Sequence, residues 1–146
     1  MIPEMSDIGS VWKVLKPGIH DVTLTEIEQQ FTTNERRKEL YQGLIRGCQA
    51  LKDAGCSVIY LDGSFITTKP TPNDFDVCWD PHGVDPTKLD GVLLDFDDQR
   101  RNQKQKYGGE FFPSSATADG HNTFVEFFQI DIETGRKKGI LRILLK

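Results

Sequence analysis

Residues 34–61 constrain the fold more than any other stretch. Asn34 suits an N-cap and Gly55 a stop, so the segment from Glu35 to about Ala54 predicts one long helix. Its apolar residues Leu40, Leu44, Ile45, Cys48 and Leu51 recur at three and four residues, which gathers them on one face. Gly43 and Gly47, four apart on that helix, mark the close approach of a neighbouring element. Directly after the stop, Ser57-Val58-Ile59-Tyr60-Leu61 is apolar and rich in β-formers, as a buried strand is. A long amphipathic helix leading at once into a buried strand predicts an α+β chain.

The remaining elements extend this frame. Residues 8–22, punctuated by Lys16-Pro17-Gly18, read as irregular. Thr23 with Glu26, and Thr25 with Glu28, have capping-box spacing and predict a short helix ending near Phe31. A second strand is expected from Asp74 to Trp79, closed by the turn Asp80-Pro81-His82-Gly83. Leu89 to Phe96 is apolar but ambiguous between strand and helix. Asp97 is a candidate cap for a polar helix carrying Arg100, Arg101, Lys104 and Lys106 and ending at Gly108-Gly109. Thr123 to Ile132 reads as a strand, Glu133 to Gly139 as a hairpin loop and Ile140 to Leu145 as the last strand. The expected sheet is mixed or mostly antiparallel.

Length and charge narrow the class. The 146 residues suit one domain, spanning 1–146, with 1–34 as an N-terminal extension carrying the short helix. With 37% hydrophobic and 27% charged residues, the chain reads as globular rather than disordered or fibrous. No apolar run is long enough to span a bilayer, so no membrane contact is expected. Residues 1–7 lack a basic region followed by an apolar stretch, which argues against a secretory signal. Cys48, Cys56 and Cys78 lack metal-type spacing and read as reduced thiols in a cytoplasmic protein. The net charge of −4 hides an asymmetry. Residues 74–98 hold eight acids and one base, whereas 99–146 hold nine bases and five acids. The first composition suits divalent cations and the second suits phosphates.

The chemistry concentrates in Leu61-Asp62-Gly63-Ser64-Phe65 and Asn73-Asp74-Phe75-Asp76-Val77. Two apart on a strand, Asp74 and Asp76 project from one face, while Phe75 and Val77 project into a core. Neighbouring carboxylates repel, and a divalent cation between them relieves the repulsion. Gly63 lets the backbone approach a ligand closely, and the Ser64 hydroxyl and nearby amides can hold a phosphate. A phosphate cradle beside a metal-holding pair is a site for phosphoryl or nucleotidyl transfer.

These residues resemble the signature of the polymerase β-like nucleotidyltransferase superfamily: a hydrophobic residue, Gly with Gly or Ser, a spacer near ten residues, then two acids flanking a hydrophobic residue. Lys16 to His20, Lys106 to Pro113, Glu126 to Gln129 and Lys138 to Ile140 extend the resemblance to small bacterial nucleotidyltransferase-like proteins. The resemblance implies a minimal nucleotidyltransferase fold, a mixed β-sheet with flanking helices. It implies two Mg²⁺ ions and transfer of a nucleoside monophosphate from ATP or another nucleoside triphosphate. Asp74 and Asp76 would be catalytic metal ligands, and Gly63, Ser64 and Lys69 would contact the triphosphate.

Such sites have a third carboxylate on a later strand. Glu126, between Val125 and Phe127 and deep in an apolar run, is favoured; Asp131 is the alternative and Asp95 a weaker third. The acceptor expected from the resemblance and the basic 99–146 segment is an RNA such as a tRNA 3′ end, or a protein hydroxyl. Small members of the superfamily serve as toxins, antitoxins or phage-defence components, so a cognate toxin or antitoxin protein is an expected partner. The competing expectation is a non-catalytic nucleotide-binding or partner-binding module on the same fold. Arg100, Arg101, Lys104, Lys106 and the Arg136-Lys137-Lys138 tip read first as solvated charge. No histidine is assigned a role.

Overall fold

The computed structural model describes residues 1–145. A two-stranded ribbon, β1 (Met5–Ser6) with β2 (Val14–Leu15), opens the chain. Then follow β3 (Gly18–Asp21), α1 (Leu24–Phe31), α2 (Glu35–Asp53), β4 (Val58–Asp62) and β5 (Phe75–Trp79). The second half holds α3 (Asp97–Tyr107), β6 (Gly109–Pro113), α4 (Phe124–Phe128) and β7 (Gly139–Leu144). Short 3₁₀ turns cover Ser64–Ile66 and Gly91–Leu94. Five strands form one sheet in the order β3-β7-β4-β5-β6. The β3/β7 and β5/β6 pairs are parallel, and β7/β4 and β4/β5 are antiparallel. The fold is therefore α+β with a mixed sheet.

The long helix forms as its caps dictate. The Asn34 side chain accepts from the Arg37 amide, and Thr23 with Glu26 makes the full capping box of α1. Leu40, Leu44, Cys48 and Leu51 of α2 are buried with Ile27 and Phe31 of α1 against one sheet face. That face carries Ile59, Leu61, Phe75, Val77, Phe111, Leu141 and Ile143. The two helix glycines are close-approach positions, as expected. A Cβ on Gly43 would stand 1.8 Å from the Tyr107 carbonyl, and one on Gly47 would enter the Phe111 ring. The three cysteines are free and buried.

Four expectations change. Residues 8–22 contain β2 and β3, and β3 borders the sheet through β7, a partner at the far end of the chain. Thr123 to Ile132 is not a strand. Thr123 and Glu126 form a second capping box, and α4 follows, so the expected hairpin joins a helix to β7. Leu89 to Phe96 is neither strand nor α-helix but holds the 3₁₀ turn at 91–94, capped by Asp90. Asp97 is not the cap of α3. Phe96 takes that position without a side-chain bond, and Asp98, Gln99 and Arg100 adopt left-handed φ of 50–63°.

The edge strand β6 was not anticipated, and a buried side chain of α3 holds it. Gln103 accepts from the Phe111 amide at 2.7 Å and donates to its carbonyl at 3.2 Å. A side-chain amide thus supplies hydrogen bonds that a further strand would otherwise make. On the opposite sheet face, α4 covers a smaller cluster of Cys78, Phe128 and Ile140, flanked by Tyr60, Phe112 and Phe124. The part of that face beyond α4 carries the acids.

Candidate active site

Strand register sets the acids in a row. Asp62, the last residue of β4, pairs with Asp76 in β5, and Asp76 pairs with Glu110 in β6. Cross-strand partners share a face, so three carboxylates line up across three strands. Asp74 precedes β5 by one residue and joins them on that face, since Phe75 and Val77 are fully buried on the other. Gly63 follows Asp62 with φ +96°, a conformation glycine adopts freely. A Cβ there would lie 3.0 Å from Asp76 Oδ2 and 3.1 Å from the Asp76 amide nitrogen. The turn at 63 thus lies against Asp76, with Asp74 two residues earlier on the same face. Ser64, partly exposed, opens the 3₁₀ turn.

The loop joining the two halves of the motif is fastened to α2. Arg37, only 4% exposed, donates to the carbonyls of Phe31 (3.3 Å), Phe65 (2.6 Å), Thr67 (2.8 Å) and Lys69 (2.5 Å). Its guanidinium also lies over the Phe65 ring. Arg36 donates to the carbonyls of Pro72 and Asn73, and Asn34 to that of Pro70. The position of Asp74 relative to Gly63 is therefore set from the helix. Lys69 is half-buried in this loop, and its charge reaches Asp74.

The row holds negative charge that the protein only partly neutralises. Lys138 meets Asp62 at 2.8 Å, and Arg100 and Lys104 meet Glu110 at 3.0 and 3.2 Å. Asp76 has no hydrogen-bond partner for its carboxylate among the described residues. Burial, then the charges of Asp62, Glu110 and Asp74, push its pKa well above the ordinary value, against the pull of Lys138. Burial and Glu110 raise Asp74, while Lys104, Lys69 and Arg36 pull the other way. Burial raises Asp62 despite its ion pair. Lys138, expected at a solvated tip, is instead a half-buried counter-ion of this row.

These donors can be compared with what Mg²⁺ needs. Among the described residues, no group of three or more His, Cys, Asp or Glu side chains is arranged as a ready-made metal cage. Mg²⁺ requires only one or two carboxylates when substrate phosphates and water complete its shell. Asp74 and Asp76, close together and short of counter-charge, fit that role.

Of the candidates for a third carboxylate, Glu126 lies outside the row, whereas Asp131 lines a cavity with Gly63 and Ser64 and its charge acts on Asp62. Glu126 sits in the first turn of α4, exposed, and its Oε1 accepts from the Thr123 amide and hydroxyl at 2.9 and 3.1 Å. The charges that act on it are Asp119 and Lys137, not the acids of the row. Asp131 is engaged by Ser10 and Thr134, and Asp95 by Asn102 and the Asp97 amide. Glu110 joins the row instead. Its signal was the alternation in Gly109-Glu110-Phe111, with Phe111 entering the core and Glu110 facing away from it.

Residues 10–144 match the model of a family of unknown function, DUF6932, which places the chain in that family. No curated protein and no solved structure matches it. None of the helices among the described residues is long and apolar enough to cross a membrane.

Proposed function

We propose that this member of the DUF6932 family is a Mg²⁺-dependent nucleotidyltransferase of the polymerase β-like type, working in the cytoplasm. One observation carries the reading: Gly63 lies so close to the under-neutralised Asp76 that a Cβ there would stand 3.0 Å from its Oδ2, with Asp74 beside it. Asp74 and Asp76 would hold Mg²⁺, and Glu110, released from Arg100 and Lys104 as these turn to phosphate, would complete the ligand set. Held there, Mg²⁺ would supply charge neutralisation at the reacting phosphate and would lower the pKa of the attacking hydroxyl.

The remaining roles belong to the chain. Gly63 and Ser64 offer an approach for the triphosphate without a Cβ in the way, and Lys69 adds a point charge. The acceptor oxygen forms a bond to the α-phosphorus, and the bond from that phosphorus to the bridging oxygen breaks. Pyrophosphate leaves with the electron pair, and the hydroxyl proton passes to a carboxylate of the row or to solvent. Arg36 and Arg37 act as positioning residues, because they fix the loop that sets Asp74 against Gly63.

A second reading rests on Glu110. Its two ion pairs suit a module that binds a nucleotide, or a toxin or antitoxin partner, without catalysis. One experiment separates the two. The protein is incubated with each α-labelled nucleoside triphosphate, Mg²⁺, and total tRNA or cell lysate. Label transfer to RNA or protein, reduced about a thousandfold in Asp76→Asn, supports the enzyme (roughly 4 kcal/mol of transition-state stabilisation). No transfer with any triphosphate overturns it.

A further inference from the structure

We infer that the acceptor is a single-stranded polynucleotide, seated in the cationic cavity between α2, the start of β5 and α3. This rests on the transferase reading and names its second substrate. The cavity, about 560 Å³, opens directly on Asp74. Arg36, Arg101 and Lys104 line it, against Asp98 as the only acid besides Asp74. The Arg101 side chain is exposed and has no partner among the described residues, so it is available to a phosphate. The amides of Asn73, Gln99 and Gln105 add hydrogen-bond donors.

A second observation lies at the start of α3, the helix whose residues Asp98, Gln99, Arg101, Lys104 and Gln105 line the cavity. Phe96 is 43% exposed and stacks parallel on Phe112, with ring centroids 6.0 Å apart and planes within 7°. Phe112 stacks in turn on Phe124 at 4.2 Å, so three rings form a ladder with the partly exposed Phe96 at its end. Arg100 lies over Phe112 at 5.6 Å and also binds Glu110, which ties the ladder to the carboxylate row. The backbone between Phe96 and the cavity is the left-handed run Asp98-Gln99-Arg100. Strain of that kind concentrates at binding sites, and here the run points Asp98 and Gln99 to the cavity and Arg100 to Glu110. Clustered cations beside an exposed aromatic face are the two parts of a single-strand site: the first tracks the backbone and the second stacks a base.

The topology fits a two-substrate reaction. In-line displacement needs the nucleophile and the leaving group on opposite sides of the phosphorus. Gly63 and Ser64 lie on the β4 side of Asp76, whereas Gly108, Lys104 and Asp98 lie on the β6 side. The triphosphate approaches from the first side and the strand end from the second.

The test measures fluorescence anisotropy of end-labelled 12-nucleotide RNA and DNA of mixed sequence on wild type, Phe96→Ala and Arg101→Glu. ATP binding with Mg²⁺ is measured on the same proteins. Micromolar oligonucleotide binding, weakened at least fivefold in each variant while ATP binding is unchanged, supports the inference. Arg101→Glu should also lower the slope of log affinity on log salt by about one. The RNA and DNA arms show which sugar the site accepts. Equal oligonucleotide affinity in all three proteins, or label transfer to a protein rather than to a nucleic acid, overturns it while leaving the transferase reading intact. Absence of ATP binding and of any transfer in wild type overturns the transferase reading, and this inference with it.

Discussion

Arg37 and Asp76 stand at the two ends of one idea about charge. Arg37 is buried and Asp76 half-buried, both beside the loop that joins the halves of the motif. Arg37 gives four of its five N–H donors to backbone carbonyls, three of them in that loop, so its charge is well hydrogen-bonded within the chain. Asp76 has no hydrogen-bond partner among the described residues and three acids around it. A satisfied buried charge holds a structure together, whereas an unsatisfied one is a cost to the fold that a ligand can remove. The difference marks Arg37 as architectural and is the ground for proposing that Asp76 binds a ligand.

The largest expected effect is at the satisfied end. Arg37→Met keeps the bulk but strips four carbonyls of their donor, so stability should fall by about 3 kcal/mol. For a chain of this size that is a drop in Tm of roughly 10 °C, read by calorimetry. A Tm within about 2 °C of wild type would erase the contrast. Next comes Gly63→Ala. Its φ of +96° strains an alanine, and the new methyl would sit 3.0 Å from Asp76 Oδ2. A loss of about 2 kcal/mol is expected, with weakened Mg²⁺ binding by titration calorimetry.

The unsatisfied end has the opposite sign. Asp62, Asp74 and Asp76 all have pKa values raised above the ordinary 3.8. Between 3.8 and those raised values the folded chain holds more protons than the unfolded one, so stability falls as pH rises through that window. Asp76→Asn should flatten the fall and gain about 1 kcal/mol at neutral pH. Adding Mg²⁺ at about tenfold its Kd should raise the wild-type stability by about 1.4 kcal/mol and leave Asp76→Asn nearly unchanged. Thermal melts from pH 4 to 8, with and without Mg²⁺, check both. Asp76→Asn melting below wild type at pH 8 would mean that the row is structurally balanced after all.

What the sequence made legible follows from how local each signal is. The caps at Asn34 and Thr23, the apolar face of α2 and the close-approach glycines depend on residues within a turn or two, and the structure has them. Gly63 and the Asp74/Asp76 pair were readable because the motif states their spacing. Arg37 was not readable, since its partners are carbonyls of a loop distant in sequence and any residue can supply a carbonyl. Strands β3 and β6 escaped for a related reason: each is four or five residues long, at a sheet edge, and defined by a parallel partner far along the chain. For Phe124-Val125-Glu126-Phe127-Phe128 the capping-box signal at Thr123 and Glu126 was present, but the apolar run outweighed it.

Two glutamates turn that last error into the smallest prediction. Glu110 and Glu126 each stand in an aromatic-rich segment; the sequence favoured Glu126, and the structure sets Glu110 in the row. Glu126 accepts from Thr123 at a helix start and is surrounded by charges that do not belong to the row. Thr123→Ala should therefore lower stability by about 1 kcal/mol, a Tm change of about 3 °C, and neither it nor Glu126→Gln should alter label transfer. Glu110→Gln removes a charge that raises the pKa of both Asp74 and Asp76, and it frees Arg100 and Lys104. It should shift the pH–stability window downward and cut transfer at least tenfold. If instead Glu126→Gln lowers transfer and Glu110→Gln does not, the row across β4, β5 and β6 is not the chemical site. Asp76 would then be an unrelieved charge with no function to explain it.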